Sequence, residues 1–354
     1  MLDNAIRRGL ISGGVVAVGN RNGLLYGTSS GNLFQSPGSP ALTERTLFDL
    51  ASLTKVIATT PAVMKLLEDG RINLLDPITR WFPELEGSDR EEITILNLLT
   101  HTSGIDDMEI PVVDSLNKTL IKTAAQHTPP PGNRFRYADI NFILLGELVS
   151  RVSGMSLDRY CAEHIYAPVG MADTQFLPQP ELTALIAPTA GADKTLSAGI
   201  VQDMNARRLG GVAGHAGLFS TATDLTRFAA MILNQGNYNG KKLFNERTVA
   251  QMTAPYFYSK GRIVRGLGWD INSPFSSPRG NHFSEMSFGH TGYSGSSLWI
   301  DPEQDLFVIL LTIRLDYQDV RQFSRLRSDI STLAVSIFSH PRMEDEISNT
   351  AQQP

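Results

Sequence analysis

The sequence has little cysteine. Only Cys161 is present in 354 residues, so no disulfide can form within the chain and a metal site built from several cysteines is excluded. It lacks any uninterrupted apolar run of the roughly 18 residues that a membrane-spanning helix needs. It also lacks an excess of basic residues, because 31 Lys and Arg against 36 Asp and Glu give a net charge of −5. We therefore expect no nucleic-acid partner and no membrane span.

A secretion signal is poorly supported as well. The opening residues 1–19 superficially resemble a signal peptide, but three glycines in the apolar core of that stretch disfavour a helical centre. The same residues fit a strand better, followed by a turn at Asn20–Gly23 and a return strand at Leu24–Tyr26. We expect a cytoplasmic protein.

The remaining pattern places strands at the two ends of the chain and helices in the middle. With 42% apolar and 19% charged residues, the composition is that of an ordinary globular protein. The segments Gly266–Asp270, Ser296–Ile300 and Leu306–Ile313 are strand-like, and Asp301–Gln304 makes a hairpin turn. We predict an α+β fold whose antiparallel sheet is built from both termini. We predict two structural parts and a tail. Residues 1–58 and 210–340 together form the part with the antiparallel sheet, residues 59–209 form a mostly helical part, and residues 341–354 form a loose tail.

Several helices are predicted from apolar patterning. Thr221 and Asp224 form a capping box for one of them. The predicted helices are 116–125, 141–149, 225–233 and 325–338.

Ser52 and Lys55 are the first candidates for chemistry. In a helix, side chains three residues apart are neighbours. A serine nucleophile needs an adjacent base, and a partly desolvated lysine can serve as one. The following apolar run predicts a buried helix that ends at Gly70 and that Pro61 should kink or split. The Ser52 N–H would then lie at the positive end of a helix dipole.

The Ser-x-x-Lys pattern alone is weak, and other matches need weighing. A helix N-cap serine beside a snorkelling lysine would look the same. A second copy, Ser115 to Lys118, is interpreted as solvated helix surface. The Gly-x-Ser-x-Gly match around Ser29 is followed by a proline-bearing loop rather than a helix, so we treat it as chance. The glycine-rich stretch 210–217 does not fit a dinucleotide-binding loop.

Two further groups lie downstream. Tyr137 comes just before the buried helix at 141–149, and His290-Thr291-Gly292 opens a strand-like segment. With Ser52 and Lys55, their order and spacing resemble the serine β-lactamase and penicillin-binding protein superfamily, most closely class C β-lactamases and related carboxylesterases. The family elements are Ser-x-x-Lys, Tyr-x-Asn and Lys-Thr-Gly, often His-Thr-Gly. The stretches 99–104 and 210–220 extend the resemblance.

The resemblance implies a β-lactamase/transpeptidase-like fold and a set of roles. Ser52 would be the acylated nucleophile, and Lys55 and Tyr137 would share the acid–base work. The backbone N–H groups of Ser52 and Tyr293 would form the oxyanion hole, and no cofactor is implied. The implied substrate-binding residues are Asp139, Asn141, His290, Thr291 and Gly292.

Two positions depart from the family pattern. His290 stands where the family usually has lysine, and a histidine is largely neutral at pH 7. Asp139 stands where the family often has asparagine, and near Lys55 it would favour the charged lysine. Asn141 is an alternative for the asparagine role. Both departures argue against a dedicated β-lactamase.

We therefore predict a serine hydrolase that acts through an acyl-enzyme on a carboxylic ester or small amide. The alternatives are a penicillin-binding D,D-peptidase or β-lactamase-type enzyme, and a non-catalytic ligand-binding or sensing module. Two structural alternatives to these roles stay open. Tyr137 could be a core tyrosine, and His290 could be a histidine on the surface of a strand. His101 and His215 are expected to be structural, and no His-x-x-x-His pair suggests a metal site. The expected partner is a small ester, amide or short peptide; neither the substrate nor the oligomeric state is indicated.

Overall fold

The computed structural model describes residues 1–339 except for 35, 88–89, 128, 191–194 and 260–261. The predicted loose tail at 341–354 lies outside the described residues. The predicted division into two parts stays a prediction.

The strands of the described chain are numbered in order along the sequence. They are β1 Ile11–Asn20, β2 Gly23–Gly31, β3 Phe48–Asp49, β4 Gln175–Phe176, β5 Thr189–Ala190, β6 Leu196–Ser197, β7 Leu218–Ser220, β8 Asn237–Tyr238, β9 Lys241–Lys242, β10 Phe257–Ser259, β11 Arg262–Arg265, β12 Phe288–Thr291, β13 Ser297–Asp301 and β14 Leu306–Arg314.

The α-helices are numbered in the same way. They are α1 Leu2–Arg7, α2 Thr60–Glu68, α3 Ile95–Leu99, α4 Ser115–Ala125, α5 Asp139–Ser153, α6 Leu157–Cys161, α7 Ala167–Val169, α8 Met204–Arg208, α9 Ala222–Leu233, α10 Glu246–Thr253 and α11 Val320–Phe338.

The main sheet joins the two ends of the chain. Its strand order is β12-β13-β14-β1-β2, and each neighbouring pair is antiparallel. Val15 of β1 lies opposite Leu311 of β14 on one side and Ser29 of β2 on the other. The predicted α+β fold with a sheet drawn from both termini is confirmed.

The sheet separates two apolar layers, because alternate residues of a strand point to opposite faces. On one face, Val15 and Ile309 belong to the large core that also contains α2, α5 and α9. On the other face, Val16 and Leu310 pack against α1 and α11. The segments that carry Ser52 and Tyr137 belong to the large core, through Leu50, Leu53 and Ala138.

The segment after Ser52 is split into turns of different types, which is the effect that the sequence predicts for Pro61. Ala51–Leu53 is a 3₁₀ turn, Lys55–Thr59 is a π-helical turn, and only then does α2 begin. Pro61 lies in the first turn of α2, where a missing backbone N–H is tolerated. The predicted burial of the segment is confirmed, since Lys55–Met64 are all buried.

Of two other predictions, one is wrong in position and one is confirmed. The strand expected at Gly266–Asp270 lies earlier, at β11, and of the predicted residues only Asp270 forms a bridge, to Gly289 and Arg265. Gly268, at φ +79°, turns the chain there and prevents a continuous strand. The Gly-x-Ser-x-Gly match lies within β2, which confirms that it is not a nucleophile elbow.

None of the described helices, taken singly, has both the length and the apolarity to cross a bilayer. The segments Asp139–Ser153 and Leu157–Val169 meet the requirement only jointly, across a 76° bend.

Candidate active site

Most of the predicted site residues meet in one cavity of about 340 Å³. Ser52 lies in its wall, and Tyr137 and β12 face it. The lining residues are Ser52, Tyr137, Arg265, Asp270, Pro274, Phe275, Ser277, Pro278, His290, Thr291, Gly292, Tyr293, Arg314, Val320, Phe323, Ser324 and Arg327.

The backbone before Ser52 is held in an unusual conformation. Ala51 has φ +46°, in the left-handed region that non-glycine residues seldom adopt. The buried carboxylate of Asp49 accepts hydrogen bonds from Ala51 N at 2.8 Å and from Gln202 N at 2.7 Å. Burial raises the pKa of Asp49 to about 6 in spite of these bonds. Asp49 therefore fixes the turn that presents Ser52, a role that sequence reasoning missed.

Lys55 is completely buried, and its ammonium has three acceptors. Nζ lies 3.2 Å from the Ser52 hydroxyl, 2.6 Å from Asp139 Oδ1 and 3.1 Å from the His215 carbonyl oxygen. Burial works against the charge, but the Asp139 carboxylate outweighs it and raises the pKa of Lys55 above its ordinary value. The predicted effect of Asp139 on Lys55 follows from this geometry. Lys55 is thus a charged hydrogen-bond donor to Ser52 at neutral pH.

Tyr137 lies between Lys55 and His290. Its ring centroid is 5.1 Å from Lys55 Nζ and 6.0 Å from the His290 ring. His101 stacks on the other side of Tyr137 with 4.5 Å between ring centroids, and its Nδ1 lies 3.1 Å from the Ala138 carbonyl oxygen. The buried His101 therefore positions Tyr137, in line with the structural role expected for it.

The turn after β12 is fastened directly to the segment that carries Ser52. Ser294 Oγ donates to the Asp49 carbonyl at 2.6 Å, and Ser296 Oγ donates to the Leu50 carbonyl at 2.9 Å. A Cβ on Gly292 would overlap with the Leu50 carbonyl and the Ser296 hydroxyl. The close approach predicted at Gly292 is therefore present, and only glycine permits it.

Two arginines, Arg327 and Arg314, contact the same turn. Arg327 of α11 donates from Nη2 to the carbonyl oxygens of Gly292 and Ser296, at 2.6 and 2.8 Å. Arg314 of β14 lies 5.5 Å from the Tyr293 ring centroid. Burial and the nearby Arg314 charge lower the pKa of Arg327 to about 9. Both side chains stabilise the position of the Tyr293 backbone.

His290 is neutral, as the sequence predicts. Burial, followed by the charges of Arg265 and Lys55, places the pKa of His290 well below its ordinary value. Its Nδ1 lies 2.8 Å from the Thr291 carbonyl oxygen, which fits an N–H donor at that nitrogen. His290 therefore contributes no fixed positive charge to the cavity.

Asn141 lies apart from the cavity. It is fully buried, and its side chain contacts Ser103 Oγ at 2.5 Å and the Ala138 carbonyl at 3.1 Å. Asp139, two residues earlier at the start of α5, is the residue that contacts Lys55. The alternative in which Asn141 takes the asparagine role has no support in this geometry.

An acid–histidine pair, Asp203 with His215, lies next to Lys55, and sequence reasoning missed its carboxylate. His215 Nε2 lies 2.9 Å from Asp203 Oδ1, and ligand-type atoms of Asp139, Asp203 and His215 lie within 4.8 Å of one another. These three side chains could hold a metal ion by type. The Lys55 ammonium already neutralises Asp139, however, so a cation there would have to displace it.

Acid should weaken the fold through Asp203. Burial alone would raise its pKa, but the hydrogen bond and charge of His215 lower the pKa of Asp203 to about 2. A folded-state pKa below the unfolded value of about 3.9 stabilises the fold above that pH, and this stabilisation disappears as the pH falls toward 2. We expect Asp203→Asn to reduce the loss of unfolding free energy between pH 7 and pH 3 by roughly 1 kcal/mol, because about half of the stabilisation remains at pH 3. Urea unfolding of both proteins at pH 7 and pH 3 measures this, and equal losses would contradict it.

A family model described as Beta-lactamase matches residues 2–328. The chain belongs to the beta-lactamase family.

Three proteins whose names give different activities are similar to this chain. A putative D-alanyl-D-alanine carboxypeptidase of Salmonella enteritidis PT4 is 31% identical over 307 residues, which cover 76% of this chain and 69% of that protein. A class C beta lactamase from Rhodobacter sphaeroides has a TM-score of 0.76 at 20% identity, over 95% of this chain and 98% of that one. EstCE1, a hydrolase with promiscuous acyltransferase activity, has a TM-score of 0.75 at 21% identity, and the match covers 93% of this chain and 96% of that one. The two structures show a shared fold.

Proposed function

We propose that the protein is a serine hydrolase that forms an acyl-enzyme on Ser52 and cleaves a carboxylic ester or small amide. The observation that carries the proposal is the 3.2 Å contact between Lys55 Nζ and the Ser52 hydroxyl in the wall of the cavity that Tyr137 also lines. A serine and a hydroxyl acid–base in one cavity, with a charged donor buried against the serine, are the groups that acyl transfer requires.

The reaction has two halves. Ser52 Oγ attacks the substrate carbonyl carbon, its proton passes to an acid–base group, and the bond to the leaving group breaks as that group receives the proton. Water then attacks the ester on Ser52 and releases the acid. We place the oxyanion on the backbone N–H groups of Ser52 and Tyr293, because the clamped turn at Gly292 brings these two segments together.

Tyr137 is assigned as the proton acceptor, with Lys55 as the permanent cation beside it. Asp139 keeps Lys55 protonated at neutral pH, and an ammonium has no lone pair with which to accept the Ser52 proton. The Tyr137 ring lies 5.1 Å from that ammonium, and a nearby positive charge favours a developing phenolate. Lys55 would then orient Ser52 and stabilise charge on Tyr137.

The pH profile of Asp139→Asn tests this assignment. Asp139 raises the pKa of Lys55, so its removal should lower that pKa. If Lys55 acts as a cation, the alkaline limb of kcat/KM moves to lower pH in the variant. If Lys55 is instead the base, activity at lower pH increases and the acid limb moves down. Glu147→Gln on the same helix serves as the control, because its carboxylate pairs with Arg151 at 2.7 Å and not with Lys55.

A D,D-carboxypeptidase is the second candidate. The Salmonella relative carries that name, and the cavity of the present chain contains three arginines, Arg265, Arg314 and Arg327, that suit a substrate with a free carboxylate. A panel of short-chain p-nitrophenyl esters, D-alanyl-D-alanine peptides and a chromogenic cephalosporin distinguishes the candidates. Labelling by a fluorophosphonate probe tests the shared acyl-enzyme step. Absence of both labelling and turnover would point to a non-catalytic binding module.

A further inference from the structure

His215 contacts Lys55 with its backbone and Asp203 with its side chain. The His215 carbonyl oxygen lies 3.1 Å from Lys55 Nζ and is one of the three acceptors around that ammonium. An ammonium has three N–H bonds at fixed angles, so the direction of its bond to Ser52 depends on where the other two acceptors lie. The contacts that fix the His215 carbonyl therefore also fix the donor that reaches the nucleophile.

The loop that carries His215 has little rigidity of its own. Residues 210–217 include four glycines, three of which have a positive φ, and glycine restricts the backbone least of all residues. Two hydrogen bonds hold the loop beside Lys55. Thr59 Oγ1 donates to the Gly214 carbonyl at 2.6 Å, and His215 Nε2 lies 2.9 Å from Asp203 Oδ1. Because the other loop residues are Gly, Val and Ala, His215 supplies the only polar side chain by which the loop can be held.

Asp203 is itself firmly placed. Its Oδ1 accepts a hydrogen bond from Ala206 N at 2.7 Å, at the start of α8. The preceding residue, Gln202, donates from its backbone N to Asp49 Oδ2 at 2.7 Å. Asp49 is the carboxylate that fixes the turn before Ser52. Two adjacent residues, Gln202 and Asp203, therefore link the turn that presents the nucleophile to the loop that holds its lysine.

The direction of the hydrogen bond between Asp203 and His215 follows from the charge of Asp203. Burial opposes that charge, but the contact with His215 lowers the pKa of Asp203 to about 2, so the side chain is a carboxylate at neutral pH. A carboxylate only accepts, so the proton lies on His215 Nε2. His215 is 1% exposed, so loss of Asp203 would leave a buried N–H unpaired. An asparagine oxygen could accept the same bond.

We propose that Asp203 is a positioning residue that acts through His215 to hold the Lys55 ammonium against Ser52. The inference rests on the proposed serine hydrolase activity and adds a residue on which the reactivity of Ser52 depends. Asp203 is absent from the described lining of the cavity. Its effect therefore falls on the chemical step and not on the binding of substrate.

Single-turnover kinetics of two Asp203 variants test the proposal. With a p-nitrophenyl ester, we expect Asp203→Ala to lower the acylation rate constant by roughly 10- to 100-fold and to leave the substrate dissociation constant within about 2-fold of wild type. The rate of labelling by a fluorophosphonate probe should fall by the same factor. Asp203→Asn keeps an oxygen that accepts from His215 and Ala206 and should restore acylation to within about 5-fold of wild type.

A background without the ammonium separates positioning from general damage. In Lys55→Met/Asp139→Asn, His215 has no lysine to hold. Adding Asp203→Ala to that background should therefore change the remaining acylation rate by less than about 2-fold, because two groups that act through one contact are not additive.

Thr221→Ala is the matched control. It also removes a helix cap, the 3.1 Å hydrogen bond from Asp224 N, and Thr221 lies outside the described lining of the cavity, so acylation should stay at the wild-type rate. If Asp203→Ala does not fold, His215→Ala should show the same loss of acylation and decides in its place.

Four results would overturn the proposal. They are an unchanged acylation rate in Asp203→Ala, an equal loss in Thr221→Ala, an equal loss in the background without Lys55, and an Asp203→Asn variant as slow as Asp203→Ala. Failure of the wild-type enzyme both to hydrolyse any ester and to react with the probe would instead count against the proposed function.

Discussion

Ser52→Ala is expected to lower kcat for a p-nitrophenyl ester by roughly 10⁴- to 10⁶-fold, because the variant lacks the atom that becomes acylated. The hydroxyl is small and half-buried, so its removal should change the thermal midpoint by only a few degrees. Steady-state kinetics and labelling with a fluorophosphonate probe measure the effect. Mass spectrometry of the labelled wild-type protein should place the adduct on the peptide that contains Ser52.

The second Ser-x-x-Lys copy provides a matched control. Ser115 Oγ donates to the carbonyl oxygens of Pro111 and Arg208, at 2.7 and 2.8 Å, and Lys118 is exposed on α4. Ser115→Ala should therefore retain wild-type kcat and probe labelling. Wild-type turnover by the Ser52→Ala variant would show that Ser52 is not the nucleophile.

Much of the fold could be predicted because its signals are local. The hairpin at Asn20–Gly23 and the strands β13 and β14 follow from apolar runs bounded by turn residues, and the structure has all of them. The helix α9 follows from the Thr221–Asp224 cap, whose hydrogen bond from Asp224 N is present at 3.1 Å. The irregular start at Ser52 could not be predicted, because neighbouring buried elements stabilise the left-handed Ala51 and the π turn.

In the candidate site, too, some residues could be predicted from the sequence and others could not. Ser52, Lys55 and Tyr137 lie in short motifs that the sequence displays. Arg265 and Asp203 lie in no such motif. They reach the site because segments far apart in the chain meet there, as the contact of Lys55 with the His215 carbonyl oxygen shows. Residues brought together by long-range packing leave no pattern in the sequence. The grouping of Arg265, Arg314 and Arg327 around one cavity could therefore not be predicted.

Lys55→Met is expected to lower kcat by roughly 10³-fold and to weaken the fold as well. The activity falls because Ser52 and Tyr137 lose the ammonium that orients them. The fold weakens because the Asp139 carboxylate, 2.6 Å from Nζ, loses its counter-ion, at a cost of roughly 3 kcal/mol. The exposed Lys118→Met is the control and should change neither property.

The double variant Lys55→Met/Asp139→Asn separates these two roles of Lys55. Without the ammonium, burial raises the pKa of Asp139, so the single variant loses stability as the pH rises through that value and is closest to wild type in acid. Asp139→Asn removes the unpaired charge and should restore most of the unfolding free energy at pH 8, while activity stays low. Urea unfolding at pH 5 and pH 8, read beside ester hydrolysis, makes both measurements. Recovery of activity in the double variant would mean that Lys55 acts only by neutralising Asp139, and that Tyr137 and Ser52 need no neighbouring cation.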